Sequence, residues 1–196
     1  MLTFLSTTST LLMLLTGLVY FLGVRSGKVK PNPTSLSIWV VVGSMNTWMF
    51  WEISQDFYST LTLFTASAVT AVTFLYSLFK KKFPQPSMTD LMLLALAFVI
   101  GIGWQTSGNS NIGNALLQLV YIVSFTALIL GLKEKHNKEI IDPWVTSFLA
   151  CLFLTAKTIL TYSGNPFVFG YPLVTGIIGN GTVAIFVYLN NKKPPQ

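Results

Sequence analysis

Charge is what this sequence has least of. Only 9% of its 196 residues are Asp, Glu, Lys or Arg, against about 25% in an average soluble domain. A water-soluble chain of this length could bury one good core, but this one lacks the polar coat to put around it. Cysteine and histidine are nearly absent as well. The single cysteine, Cys151, permits no internal disulfide and no cysteine-based metal site. The single histidine, His136, lies in a charged segment, which argues against a histidine-rich metal centre or a histidine-driven triad. No phosphate-binding glycine loop, paired catalytic carboxylates or metal-spaced ligands occur. Neither an enzyme, a cofactor nor a metal is expected.

What is present is apolar. Hydrophobic residues make up 52% of the chain, aromatics 14%, and the mean hydropathy is +0.64, which excludes disorder. A helix needs about 20 apolar residues to cross the hydrocarbon layer. Apolar runs between polar or Gly/Pro punctuation predict seven spans, at 3–24, 34–54, 58–80, 88–106, 111–132, 142–163 and 167–190. The expected fold is an all-α polytopic membrane protein. The first run has no positive residue ahead of it and no small-x-small cleavage site behind it, so it reads as a retained span rather than a signal peptide.

The basic residues then orient the chain. Arg25, Lys28 and Lys30 follow the first span, Lys80, Lys81 and Lys82 the third, Lys133, Lys135 and Lys138 the fifth, and Lys192 and Lys193 the last. Eleven of the 12 basic residues thus share one side. The opposite connections hold Glu52 and Asp56 and no lysine or arginine. Basic short loops stay cytoplasmic, so the N-terminus is expected outside and the C-terminus in the cytoplasm. The net charge of +6 then reports orientation and contact with anionic lipid, not a nucleic-acid partner.

Shifting the chain by 110 residues places Pro33 on Pro143, Leu22 on Leu132, Lys82 on Lys192 and Pro84 on Pro194. Spans one to three (residues 1–86) then match spans five to seven (111–196), with 87–110 as a connecting helix. Three spans plus one linker restore direction, which makes this a 3+1+3 parallel repeat of triple-helix bundles. With that pattern the chain resembles the PQ-loop/SWEET-like superfamily of seven-span proteins. The segment GKVKPNPTSLSIWVVVG at 27–43 is similar to the K-P-N-x-x-S-x-x-x-W opening of the second span in prokaryotic members. The resemblance implies a small-solute transporter in a prokaryotic plasma (inner) membrane. The Pro-Gln pair that names the superfamily is missing from spans one and five, since the only such pair is Pro84-Gln85.

Polar residues inside spans point to the site, because hydrocarbon offers no hydrogen-bond partner. Asn111, Asn114, Gln118 and Tyr121 share a face of span five, and Ser147, Cys151, Thr155, Thr158 and Tyr162 one of span six. Ser37, Ser44, Trp48 and Trp51 share one of span two, and Thr70, Thr73 and Ser77 one of span three. Span seven offers Thr175, Gly179 and Thr182, with Asn180 beside them. For any single Ser, Thr or Gly, helix packing is the plainer reading. Gln118 and Asn180 weigh more, because an amide needs several partners. The resemblance implies that Asn180 matches the substrate-binding Asn of span seven, with Thr70 as its repeat mate. It also makes Trp48 an aromatic platform, with Thr158 as its mate. The expected solute site is Trp48, Thr70, Gln118, Tyr121, Thr158 and Asn180.

Lys157 is the only basic residue inside a span. Snorkelling to the outer surface, an ion pair with Glu52, or a substrate role each account for it. A retinal linkage does not, because span seven has no lysine before Lys192. The alternative function is a non-catalytic integral subunit or assembly factor of a larger membrane complex, motivated by the missing Pro-Gln pairs and the unmatched Asn and Trp. The expected partners are the lipid bilayer, a small polar solute, and either a homo-oligomer or that larger complex.

Overall fold

The computed structural model describes residues 1–134, 137–162 and 164–191, apart from the side chains of 97, 100, 101, 104, 105 and 107. Lys135, His136, Lys192 and Lys193, which entered the charge count, lie outside the described residues, as does the side chain of Trp104. The chain is all-helical among the described residues. The helices are α1 (Leu2–Arg25), α2 (Pro33–Ser54), α3 (Phe57–Phe79), α4 (Met88–Ser107), α5 (Ser110–Lys133) and α6 (Asp142–Leu160). The seventh segment opens as a short 3₁₀ turn (Pro166–Phe169), widens to i→i+5 bonding over Gly170–Asn180 and closes as α7 (Gly181–Asn191). Five segments are long and apolar enough to cross a membrane: α1, α3, α5, α6 and the seventh. Their outward faces carry bare Leu11, Leu18, Phe64, Leu119 and Ile185, as a lipid-facing surface requires.

Most helix starts are set by a side chain that satisfies an orphan N–H. Asn32 accepts from the Ser35 N–H at 2.8 Å, and Asp56 accepts from the Tyr58 and Ser59 N–H groups at 3.1 and 3.4 Å. Ser87 and Asp90 form a reciprocal capping box at the start of α4. Pro33 and Pro143 sit in the first turns of α2 and α6, where a missing N–H costs nothing. Two helix ends turn sharply through left-handed residues. Gly108 (φ 60°) adopts this freely, whereas Gln55 (φ 50°) does so with its side-chain amide donating to the Trp51 and Glu52 carbonyls.

Helix α3 packs against both α1 and α2, and the seventh segment against both α5 and α6. Across these groups α1 lies on α6 and α2 on α5, while α4 runs along α5. Contacts between loops define two ends. At one end the Lys30 N–H donates to the Lys138 carbonyl (2.8 Å) and the Lys138 N–H to the Lys30 carbonyl (3.1 Å). Asn32 Nδ2 there donates to Asp90 Oδ1 (2.9 Å), which fixes the start of α4 to the start of α2. At the other end Ser110 donates to Glu52 (2.6 Å) and Asn165 to Asn111 (3.0 Å).

One loop geometry occurs twice. The Ser26 N–H donates to the Leu22 carbonyl (2.9 Å) and the Val29 N–H to the Gly23 carbonyl (3.0 Å). The Glu134 N–H donates to the Leu130 carbonyl (3.0 Å) and the Asn137 N–H to the Gly131 carbonyl (3.2 Å). The turns therefore pair Leu22 with Leu130 rather than with Leu132, and Glu139 falls in a short insertion before Pro143. A size exchange accompanies this pattern. Gly17 of α1 faces Val69 of α3, while Phe125 of α5 faces Gly179 of the seventh segment.

Candidate functional site

A cavity of about 110 Å³ lies at the centre of the helices. Helix α1 contributes Met13, Gly17 and Tyr20; α2 contributes Trp39 and Gly43; α3 contributes Ser67, Thr70 and Thr73. Tyr121 and Phe125 come from α5, Trp144 and Ser147 from α6, and Tyr171, Thr175 and Asn180 from the seventh segment. Most of this wall is apolar or aromatic. Trp39 and Trp144 stack edge-on at 5.7 Å, and Phe125 sits 5.7 Å from Trp39 and 6.5 Å from Trp144.

Of the expected site residues, Thr70, Tyr121 and Asn180 line this cavity. Thr70 Oγ1 donates back to the Ala66 carbonyl (2.7 Å), and Asn180 Nδ2 donates to Ser147 Oγ (2.8 Å). Gln118 stands just behind the wall, accepting from Thr175 (2.9 Å) and donating to Asn46 Oδ1 (3.2 Å). The other two residues fall elsewhere. Trp48 is 66% exposed and donates to Glu52 (2.8 Å) on the outer face of α2. The inward face of α2 carries Trp39, Gly43 and Asn46 instead, so the Ser44–Trp48–Trp51 stripe faces outward. Thr158 bonds to the Leu154 carbonyl (2.9 Å) and lines a different pocket.

Span seven also departs from its expected face. With i→i+5 winding, inward positions recur at four- and five-residue steps, which brings Tyr171, Thr175 and Asn180 to the cavity. Thr182, placed inward by α-helical spacing, is exposed. The wide winding seats Gly176 on Cys151 and Gly179 on Phe125, where a Cβ would collide. Stretches of this kind often mark functional sites.

Two polar clusters brace the cavity. Asn46 Oδ1 accepts from Asn114 (3.3 Å) as well as from Gln118, linking α2 to α5 within the core. Asn46 was not singled out by its sequence context, where Ser44 and Trp48 formed the more conspicuous stripe. Glu139, on the loop before α6, is 5% exposed and accepts from Tyr20 (2.9 Å) and Trp144 (3.2 Å), both cavity residues. Burial pushes its carboxyl up to about 8, against the opposing pull of those two hydrogen bonds.

The spacing at 30–39 also acquires a physical role. Asn32 caps α2, Ser35 Oγ donates to the Ser124 carbonyl (2.6 Å), and Trp39 Nε1 donates to Ser124 Oγ (2.6 Å). Together these pin α2 to α5.

A second pocket, about 510 Å³, opens at the other end of the bundle between α1, the α2–α3 turn, the end of α6 and Val168. Lys157 lines it, and its ion pair is with Asp56, supported by Ser59 Oγ (2.9 Å). This corrects the expected Glu52–Lys157 pair. Glu52 is held on the outer side of α2 by Trp48 and Ser110, while the turn at Gln55 carries Asp56 inward to α6. Burial pushes the Asp56 carboxyl up, but the hydrogen bonds from Lys157 and Ser59 and the lysine charge bring it below its ordinary value.

No family model, curated protein or solved structure matches this chain.

Proposed function

We propose that the protein is a small-solute transporter of SWEET-like, 3+1+3 architecture, with the central cavity as its solute site. The observation that carries this reading is the pair Thr70 and Asn180, which repeat alignment makes equivalent and which both line one cavity. The packing pattern supports it. Exchanging α1–α3 with α5–α7 turns the α1–α6 contact into α5–α2, and α1–α3 and α2–α3 into α5–α7 and α6–α7. The twice-occurring loop geometry and the Gly17–Val69 and Phe125–Gly179 pairs are further support for two related bundles. In parallel-repeat transporters the site lies at the interface of the two repeats and access alternates as they rock. Here α1–α6 and α2–α5 are the rocking interfaces, and the Lys30–Lys138 bridge holds one end shut. The basic end faces the cytoplasm of a prokaryotic inner membrane, with the N-terminus outside.

Stopped-flow swelling of proteoliposomes tests the proposal. In gradients of glycerol, urea or propane-1,2-diol, liposomes carrying the protein should swell faster than empty ones for at least one solute. Equal rates across the panel contradict transport.

A further inference from the structure

The cavity wall contains no Asp, Glu, Lys, Arg or His among the described residues. Behind it, the carboxyl of Glu139 is covered by Tyr20 and Trp144. An ion entering here would lose its water and meet no counter-charge, and unpaired burial of charge is prohibitive. Hydrogen-bonding capacity, however, is left over. The hydroxyls of Tyr121 and Tyr171 and the Oδ1 of Asn180 have no hydrogen-bond partner among the described residues. All three residues are more than nine-tenths buried and line the cavity. The two tyrosine rings lie 6.0 Å apart, edge to face. These atoms face the cavity, so whatever fills it must supply their hydrogen-bond partners.

Size limits the occupant too. An engineered cavity of about 150 Å³ takes up benzene; one of about 110 Å³ takes a molecule no larger. A disaccharide is larger than this volume. The Trp39, Phe125 and Trp144 rings, packed on one another, supply an apolar, stacking part of the same wall.

We infer that the cavity binds a small, uncharged, amphipathic solute: an apolar or aromatic body against Trp39, Phe125 and Trp144, and one hydroxyl or amide end among Tyr121, Tyr171 and Asn180. The inference rests on reading the cavity as the solute site. It names the class of solute and not the direction of travel.

Equilibrium dialysis of the full-length protein in detergent against labelled phenol tests it, with empty micelles subtracted. A saturable one-to-one site is expected, displaced by benzene but not by benzoate or benzylammonium at 100-fold higher concentration, nor by glucose. Tyr121→Phe and Tyr171→Phe should each weaken phenol roughly 3- to 10-fold, the range of one lost hydrogen bond, with benzene affinity unchanged. That unchanged affinity also reports that the variants fold. Absence of a saturable site, displacement by either charged analogue, or unaltered phenol affinity in both variants overturns the inference. Phenol crosses bilayers unaided, so binding here is independent of transport. Intact binding with no protein-dependent solute flux refutes the transport reading alone, and flux without phenol binding refutes the solute class alone.

Discussion

Replacing Glu139 by Gln should stabilise the protein, and more so as pH rises. The wild-type carboxyl is buried beneath the cavity wall, with Tyr20 and Trp144 as its hydrogen-bond partners. Burial raises it from an ordinary 4.5 to about 8. Between those values the folded protein holds a proton that the unfolded chain has released, so folding takes up a proton. Stability therefore falls as pH rises from 4.5 to about 8 and then levels off. At about 1.36 kcal/mol per pH unit the full interval amounts to on the order of 5 kcal/mol. Relaxation and water penetration around a buried ion lower the effective penalty, so this is the upper end. A glutamine keeps the shape, can accept from Trp144 and donate to Tyr20, and has no proton to lose. At pH 4.5 the two proteins should unfold alike. At pH 9 the Gln variant should be ahead by about 2–5 kcal/mol, a shift in Tm on the order of 10 °C for a chain of this size. Thermal unfolding in mild detergent from pH 4.5 to 9, followed by tryptophan fluorescence, measures both. Lys30 and Lys138 nearby are solvent-exposed and common to both proteins, so the difference between the curves isolates Glu139. A difference that does not change with pH refutes the reasoning.

Other perturbations test the remaining contacts. Asp56→Asn keeps the α3 cap but leaves Lys157, 4% exposed, without a counter-charge. It should cost about 2–4 kcal/mol by denaturant unfolding. Lys157→Met should cost less, because Asp56 is partly exposed and can hydrate. In the wild type the stabilisation from Asp56 is present above its unfolded pKa and is lost as pH falls through its lowered folded value, a loss the Asn variant should not show. Asn46→Ala strands the buried donors of Asn114 and Gln118 and should lower stability by about 2–4 kcal/mol. Gly179→Ala drives a methyl into the Phe125 ring and should cost about 1–3 kcal/mol. Combining it with Phe125→Leu should recover part of that loss, as a double-mutant cycle would show.

How far the sequence carried is best judged residue by residue. Helix positions followed from apolar run lengths, because a bilayer sets the minimum length of a span. Most edges then fell at capping residues such as Asn32, Asp56 and Gly108. Helix α6 stops at Leu160, short of the expected 163, since an apolar run does not reveal where a last turn unwinds. The inward face of α5 was legible because Asn114, Gln118 and Tyr121 recur at helical spacing among aliphatic residues. The face of α2 was not. Trp48 looked like a stacking platform, yet indole rings are equally at home at an interface, and here the ring bonds Glu52 on the outside. The partner of Lys157 was misread by one helical turn of chain, because the reversal at Gln55 that brings Asp56 inward is a non-glycine left-handed residue with no sequence signature. The wide winding at 170–180 was equally hidden. Its glycines suggested close packing, but which residues they packed against, Cys151 and Phe125, is a tertiary fact.

The central claim is that the cavity between the two helix groups opens to each side of the membrane in turn. Two-sided labelling tests it most directly. Cys151 is fully buried and can be replaced by Ala, after which single cysteines are placed at Thr70 and Asn180. Proteoliposomes are then exposed to an impermeant maleimide from outside only or inside only. The account predicts that each cysteine is labelled from either side, and more slowly when a solute bound by the cavity is present. Labelling from neither side, or from one side alone for both positions, would contradict it.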